Sequence, residues 1–152
     1  MSVQVQTADF DVSAELNMLR ENNAKIGAIV SFIGLVRDLN DNAAVSEMVL
    51  EHYPAMTQKA LEAIVQQAMQ RWDIYDARVI HRVGRLMPAD QIVLVATVSA
   101  HRADAFAACE FIMDYLKTRA PFWKKEQTRA GARWVEAKDS DEQALQRWNG
   151  DE

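Results

Sequence analysis

The sequence predicts an α+β fold with a largely antiparallel sheet, two long helices and a small C-terminal hairpin and helix. Three observations carry that expectation. Short runs rich in Val and Ile alternate with two long segments of helical periodicity. The turn residues MPAD (87–90) join two strand-like runs closely enough for a hairpin. No repeat, low-complexity tract or Pro/Gly/Ser linker interrupts the chain, and 152 residues at 49% hydrophobic can bury one substantial core, so residues 1–152 are expected to form a single domain.

The elements follow in order. SVQVQT (2–7) alternates as a short strand, and DVSAELNMLREN (11–22) opens with the capping residues Asp11 and Ser13 before a short helix. GAIVSFIGLVR (27–37) is apolar almost throughout, the pattern of a strand buried on both faces. DLNDNAA (38–44) is a loop, and SEMVLEHY (46–53) is the next strand. From Pro54, suited to a first helical turn, Met56, Ala60, Ile64, Ala68 and Trp72 step by four along one helix face. ARVIHRVGRL (77–86) and QIVLVATVSA (91–100) form the hairpin. The second long helix carries a stripe of Phe106, Cys109, Met113 and Leu116, flanked by Ala105, Ala108, Ile112 and Tyr115. Pro121 pushes Ala120 out of helical geometry, so this helix ends near Lys117 to Arg119. PFWKKEQ (121–127) and ARWVEA (132–137), joined across Gly131, make a last strand pair, and Asp139 with Glu142 forms a capping box for a terminal helix.

Composition excludes several classes of function. One cysteine, Cys109, cannot build a disulfide framework or a Cys-rich zinc site, and it suits a reducing compartment such as the cytoplasm. The N-terminus lacks a basic region followed by an apolar one, and the longest apolar run, IGAIVSFIGLV, falls short of the roughly 20 residues of a membrane span, so neither secretion nor a membrane partner is expected. A net charge of −5 argues against nucleic acid along the whole surface. The charge is uneven, however. Residues 101–133 hold seven basic and four acidic side chains, a local +3 in an otherwise acidic chain, which fits a small anionic ligand.

The familiar motifs for nucleotides, metalloproteases, hydrolases and thiol redox work, GxxxxGK[ST], GxGxxG, HExxH, GxSxG and CxxC, are missing. Cys109 lies mid-helix on the apolar face and reads as packing; His52 and His81, on separate strands without a carboxylate at ligand spacing, read as structural, and no metal is expected. His101 and Arg102 stand where a strand ends and a helix begins, where backbone N–H groups already favour an anion. Lys117 and Lys124 flank a proline turn with Phe122 and Trp123 between them. Two ammonium groups converging there, with the aromatics excluding water, would suit acid–base chemistry; a solvated basic turn accounts for the same residues about as well.

The segments LEHYPAMTQKAL, VIHRVGRLMPAD, VSAHRADAF, FIMDYLKTRAPFWKKE and RWVEA, in that order and spacing, resemble the large, catalytic subunit of molybdopterin synthase, from about Gly27 to Trp148. The resemblance implies an α/β hammerhead fold and a sulfurtransferase of molybdenum cofactor biosynthesis. The family converts cyclic pyranopterin monophosphate to molybdopterin by installing a dithiolene. Its sulfur comes as a thiocarboxylate on the C-terminal Gly-Gly tail of a small ubiquitin-like subunit, and its large subunit forms a homodimer within a heterotetramer. No cofactor of its own is implied.

Carried onto this chain, the resemblance makes Lys117 and Lys124 the catalytic candidates. Lys117 would hold the thiocarboxylate and assist proton transfer, and Lys124 would act at the substrate as acid, base or electrostatic stabiliser. Arg37, His101 and Arg102 would bind the pterin phosphate, with Lys125 and Glu126 lining the same pocket. Two positions depart from some relatives: Leu35 stands where they carry lysine, and Lys138 where they carry arginine. Leucine offers phosphate no charge, and lysine lacks the bidentate fork. A reading from another class is a non-catalytic anion- or nucleotide-binding module, with Trp123 stacked on a base.

Overall fold

The computed structural model describes residues 2–40, 43–128, 131–135 and 139–149. Its strands form two sheets. The first, in the order β1-β5-β7-β2, comprises β1 (Ser2–Gln6), β5 (Asp76–Arg82), β7 (Gln91–Ser99) and β2 (Ala28–Leu35). Only β1 and β5 run parallel; β5–β7 is antiparallel, as expected of the two runs flanking MPAD, and β7–β2 is antiparallel as well. The second sheet runs β3 (Leu39–Asn40), β4 (Ala43–His52), β8 (Phe122–Thr128) and β9 (Gly131–Val135), with β6 (Gly84–Leu86) also on β4.

Side-chain alternation gives the first sheet two apolar faces. Val79, Val93 and Val95 meet the helices α2 (Pro54–Arg71) and α3 (Arg102–Arg119) through Leu61, Ile64, Val65, Ala108, Phe111 and Ile112. Ile80, Leu94 and Ala96 point the other way, toward Phe10 and α1 (Val12–Arg20) with its Leu16 and Leu19. The terminal helix α4 (Asp139–Gln146) adds Leu145, and Trp148 follows it into the α2/α3 core. There Trp148 Nε1–H donates to Asp114 Oδ2 at 2.7 Å, and Arg147 pairs with both Asp114 and Glu110.

Several expectations need correction. The apolar run of β2 is an edge strand, paired on one side only, and Phe32 stays 42% exposed; apolarity alone does not distinguish a central strand from an edge. ARVIHRVGRL is two strands: Gly84 takes a φ of +87°, a conformation that favours glycine, and the chain turns from β5 to pair β6 with β4. Leu39–Asn40, expected as loop, forms a short strand on β4. Asp11 alone caps α1, accepting from Ala14 N–H at 3.1 Å, while Ser13 lies inside the helix. Met56 and Phe106 face solvent, because the buried stripes run through Thr57, Leu61, Ile64, Val65 and Ala68 in α2 and through Ala105, Ala108, Cys109, Ile112, Met113 and Leu116 in α3. The side chains of Asp139 and Glu142, and all of Lys138, lie outside the described residues.

Candidate active site

The turn between α3 and β8 is fixed from both sides. α3 ends at Arg119, and Ala120 is extended at ψ 139° before Pro121, as the proline requires. Phe122 N–H closes back on the Ala120 carbonyl at 2.8 Å, and Thr57 Oγ1, in the first turn of α2, donates to the Pro121 carbonyl at 3.5 Å. Lys117 is thus held on the last helical turn, exposed, while Lys124 sits half-buried two residues into the sheet opposite Leu50.

Alternation along β8 separates its polar residues. Phe122, Lys124 and Glu126 share one face; Trp123, Lys125 and Gln127 take the other. Phe122 joins the α2/α3 core, and Glu126 is 5% exposed opposite Met48. Trp123 packs on Tyr53, with ring centroids 4.8 Å apart. Of the two aromatics expected to shield the lysine pair, Phe122 shares the Lys124 face of β8, and Trp123 does not.

Sequence reasoning left His81 out of the site. Its ring lies on the α2/α3 side of β5, stacked on Phe122 at 3.9 Å with the planes 18° apart. Nδ1 sits 2.8 Å from the Arg82 carbonyl, a contact that requires Nδ1 to carry the proton. Burial, foremost, then the charges of Lys124, Lys117 and His52 hold His81 down at about 4, against the Arg82 hydrogen bond, which works the other way. The charges of Lys117 and Lys124 both reach the His81 ring. His52, opposite Phe122 in register, approaches the same ring at 6.4 Å, and its Nδ1 is buried without a hydrogen-bond partner among the described residues. No spacing in the sequence signals this histidine grouping; it arises where β5 and the β4–β8 ladder meet.

The proposed phosphate ligands divide. Arg37 follows Val36, which packs with Met48, the register partner of Glu126, so Arg37 lies toward the lysine end of the fold. His101 and Arg102 do not. His101 is the N-cap of α3 and Arg102 its first residue, both exposed, fifteen residues before Lys117 on the same 18-residue helix. At 1.5 Å per residue that is roughly 22 Å, too far for one small substrate to span. Gly27 shapes that far end: a Cβ there would meet the Ala100 carbonyl oxygen at 2.3 Å, so only glycine lets β2 begin beneath the turn that carries His101. Leu35, at the opposite end of β2, is exposed.

Cys109 is buried in α3, its Sγ 3.7 Å from the Val95 carbonyl, and burial, with some help from Glu110, pushes the thiol up to about 12. It is a packing residue, as its place on the helix implies. Among the described residues no group of three or more His, Cys, Asp or Glu could hold a metal ion, and no helix is long and apolar enough to cross a membrane.

Residues 5–119 match the family described as MoaE protein. The chain is 67% identical over 147 residues to the molybdopterin synthase catalytic subunit of Ralstonia nicotianae, covering 97% of this chain and 84% of that protein. The solved molybdopterin biosynthesis MoaE protein of Burkholderia ambifaria superposes with a TM-score of 0.83 at 59% identity, over 97% of each chain. The fold alone is shared, at 20% identity and a TM-score of 0.70 over 90% of each chain, with a chain from the complex of subunits 1 and 2 of the Helicobacter pylori molybdopterin-converting factor. The chain belongs to the MoaE family, the catalytic subunits of molybdopterin synthase, enzymes of molybdenum cofactor biosynthesis.

Proposed function

We propose that this chain transfers sulfur from the thiocarboxylated Gly-Gly tail of a small ubiquitin-like subunit to cyclic pyranopterin monophosphate, forming the dithiolene of molybdopterin. The observation that carries the reading is the pair Lys117 and Lys124 beside a fold whose only thiol is sealed. Cys109 is buried and protonated, so the sulfur must arrive on another molecule, and the exposed Lys117 can meet it. The Helicobacter pylori structure is itself a complex of two different subunits, which supports a partner chain.

In this reading Lys117 pairs with the tail's thiocarboxylate and assists its proton transfer, while the half-buried Lys124 acts at the pterin. Thiocarboxylate and phosphate are both anions and repel each other unless cations lie between them. Arg37 supplies one such cation from the lysine end, with Lys125 and Glu126 further along β8. His101 and Arg102, roughly 22 Å away along α3, reach the same substrate only from a second copy, so the working unit is a homodimer with one small subunit on each protomer, a heterotetramer. No cofactor takes part, and the cytoplasm, where the free thiol stays reduced, is its compartment. A non-catalytic anion-binding module is disfavoured, because Trp123, its stacking residue, is packed on Tyr53.

The test is a single-turnover reaction of the purified chain with thiocarboxylated partner and pterin monophosphate. Dithiolene product with consumption of the thiocarboxylate is expected; an intact thiocarboxylate after prolonged incubation would refute the reading.

A further inference from the structure

His81 is held in an arrangement that packing alone does not require. A ring at this place in the core would stack on Phe122 equally well as phenylalanine, and it would bring no polar atom to be satisfied. The imidazole instead has one nitrogen tied to the backbone: Nδ1–H donates to the Arg82 carbonyl at 2.8 Å. That contact fixes both the tautomer and the ring plane, so Nε2 presents a lone pair in a set direction. Nε2 is not among the buried side-chain atoms left without a partner; the one such atom among the described residues is His52 Nδ1. His81 keeps 5% of its surface open, and the charges of Lys124, Lys117 and His52 reach its ring. Phe122, against which the ring is stacked, is two residues before Lys124 on the same face of β8.

We propose that His81 is a positioning residue for Lys124: its Nε2 lone pair accepts a hydrogen bond from the Lys124 ammonium and aims it at the substrate. The imidazole is suited to this because burial keeps it neutral. A neutral acceptor favours the charged, proton-bearing form of the lysine without cancelling its charge, as a carboxylate would. Lys124 is then presented as a proton donor and electrostatic stabiliser whose direction is set by a rigid chain of contacts: Arg82 carbonyl, His81 ring, Phe122 ring. The inference rests on the reading of Lys124 as a group that acts at the substrate.

Three variants separate the contacts. His81→Gln places a polar amide where Nε2 stands, His81→Asn keeps only a donor in the place of Nδ1, and His81→Phe keeps only the stacked ring. With thiocarboxylated partner and pterin monophosphate in single turnover, His81→Asn and His81→Phe are expected to slow transfer by about tenfold to a hundredfold, the scale of one hydrogen bond to a charged group. His81→Gln is expected to stay within about fivefold of the unmodified chain, and affinity for the partner's tail should not change in any of the three. Folded His81→Asn or His81→Phe protein reacting at the full rate would overturn the proposal. The parent reading fails separately, if Lys124→Ala reacts at the full rate. Should the His81 variants not fold, the otherwise unmodified chain gives the answer: the imidazole 15N resonance of His81 Nε2 should shift in Lys124→Met, with Nδ1 remaining protonated, and an unchanged resonance would show that no such contact exists.

Discussion

His81 and Phe122 lie face to face, ring centroids 3.9 Å apart and planes 18° from parallel, and this stack joins the first sheet to the strand that carries Lys124. It also makes a buried histidine part of the stability of the fold. Burial, chiefly, lowers His81 from 6.5 to about 4, so between those values the unfolded chain binds a proton that the folded chain refuses. The stability due to the neutral ring is complete above pH 6.5 and is lost as the pH falls toward 4. The loss is at most about 1.4 kcal/mol per pH unit, or about 3 kcal/mol across the window. Denaturant unfolding at intervals from pH 7 to 4.5 should show this slope in the unmodified chain and a shallower one in His81→Phe. Equal slopes would mean that His81 titrates normally.

Cys109→Ser should retain most sulfur-transfer activity. The thiol serves packing, and the substitution exchanges one small buried side chain for another that can still donate to the Val95 carbonyl. Single-turnover rates beside thermal melts check this, and loss of turnover in a stably folded variant would contradict it.

Arg102→Ala and Arg37→Ala should weaken binding of the pterin phosphate while the partner's tail still docks, because charge-assisted hydrogen bonds to phosphate are the strong kind. Separate titrations of substrate and of partner decide the matter. Equal loss of both would mean that the arginines serve the tail or the fold.

The length of α3 predicts complementation between copies. Lys117→Ala, nearly inactive alone, and Arg102→Ala, slowed alone at limiting pterin through its weakened binding, should regain activity when mixed at that pterin concentration and allowed to exchange subunits. One site of each mixed dimer then keeps both residues, so about a quarter of all sites recover under random pairing. Recovery indistinguishable from zero, with exchange verified by mass, would show that each copy builds its site alone.

Much of this was legible in the sequence wherever a local rule dominates. Pro121 fixes the end of α3 at Arg119, the strand-like runs on either side of MPAD announce the antiparallel pairing seen between β5 and β7, and the place of Cys109 on an apolar stripe fixes its burial. What escaped depends on relations that no window contains. The edge position of β2 is decided by which strands pair with it, and the departure of β6 from β5 turns on the conformation of Gly84. The stack of His81 on Phe122 joins residues 41 positions apart. The distance between Arg102 and Lys117 was calculable from helix rise alone, yet a charge count over residues 101–133 treats them as one cluster. Charge counts register sequence proximity, and a straight helix turns that proximity into separation.

The most direct test of the central claim is the single-turnover rate of Lys117→Arg with saturating thiocarboxylated partner. If Lys117 only complemented the α3 dipole, arginine would keep the charge and cost little, since an exposed dipole contact is worth about 0.3 to 1 kcal/mol. If its ammonium must meet a thiocarboxylate and exchange a proton, arginine fails by its bulk and by staying protonated at any accessible pH. Lys117→Arg, like Lys117→Ala, should then lose about 100- to 10,000-fold in rate with an unchanged thermal melt. A Lys117→Arg enzyme within a few-fold of the unmodified chain would contradict the assignment.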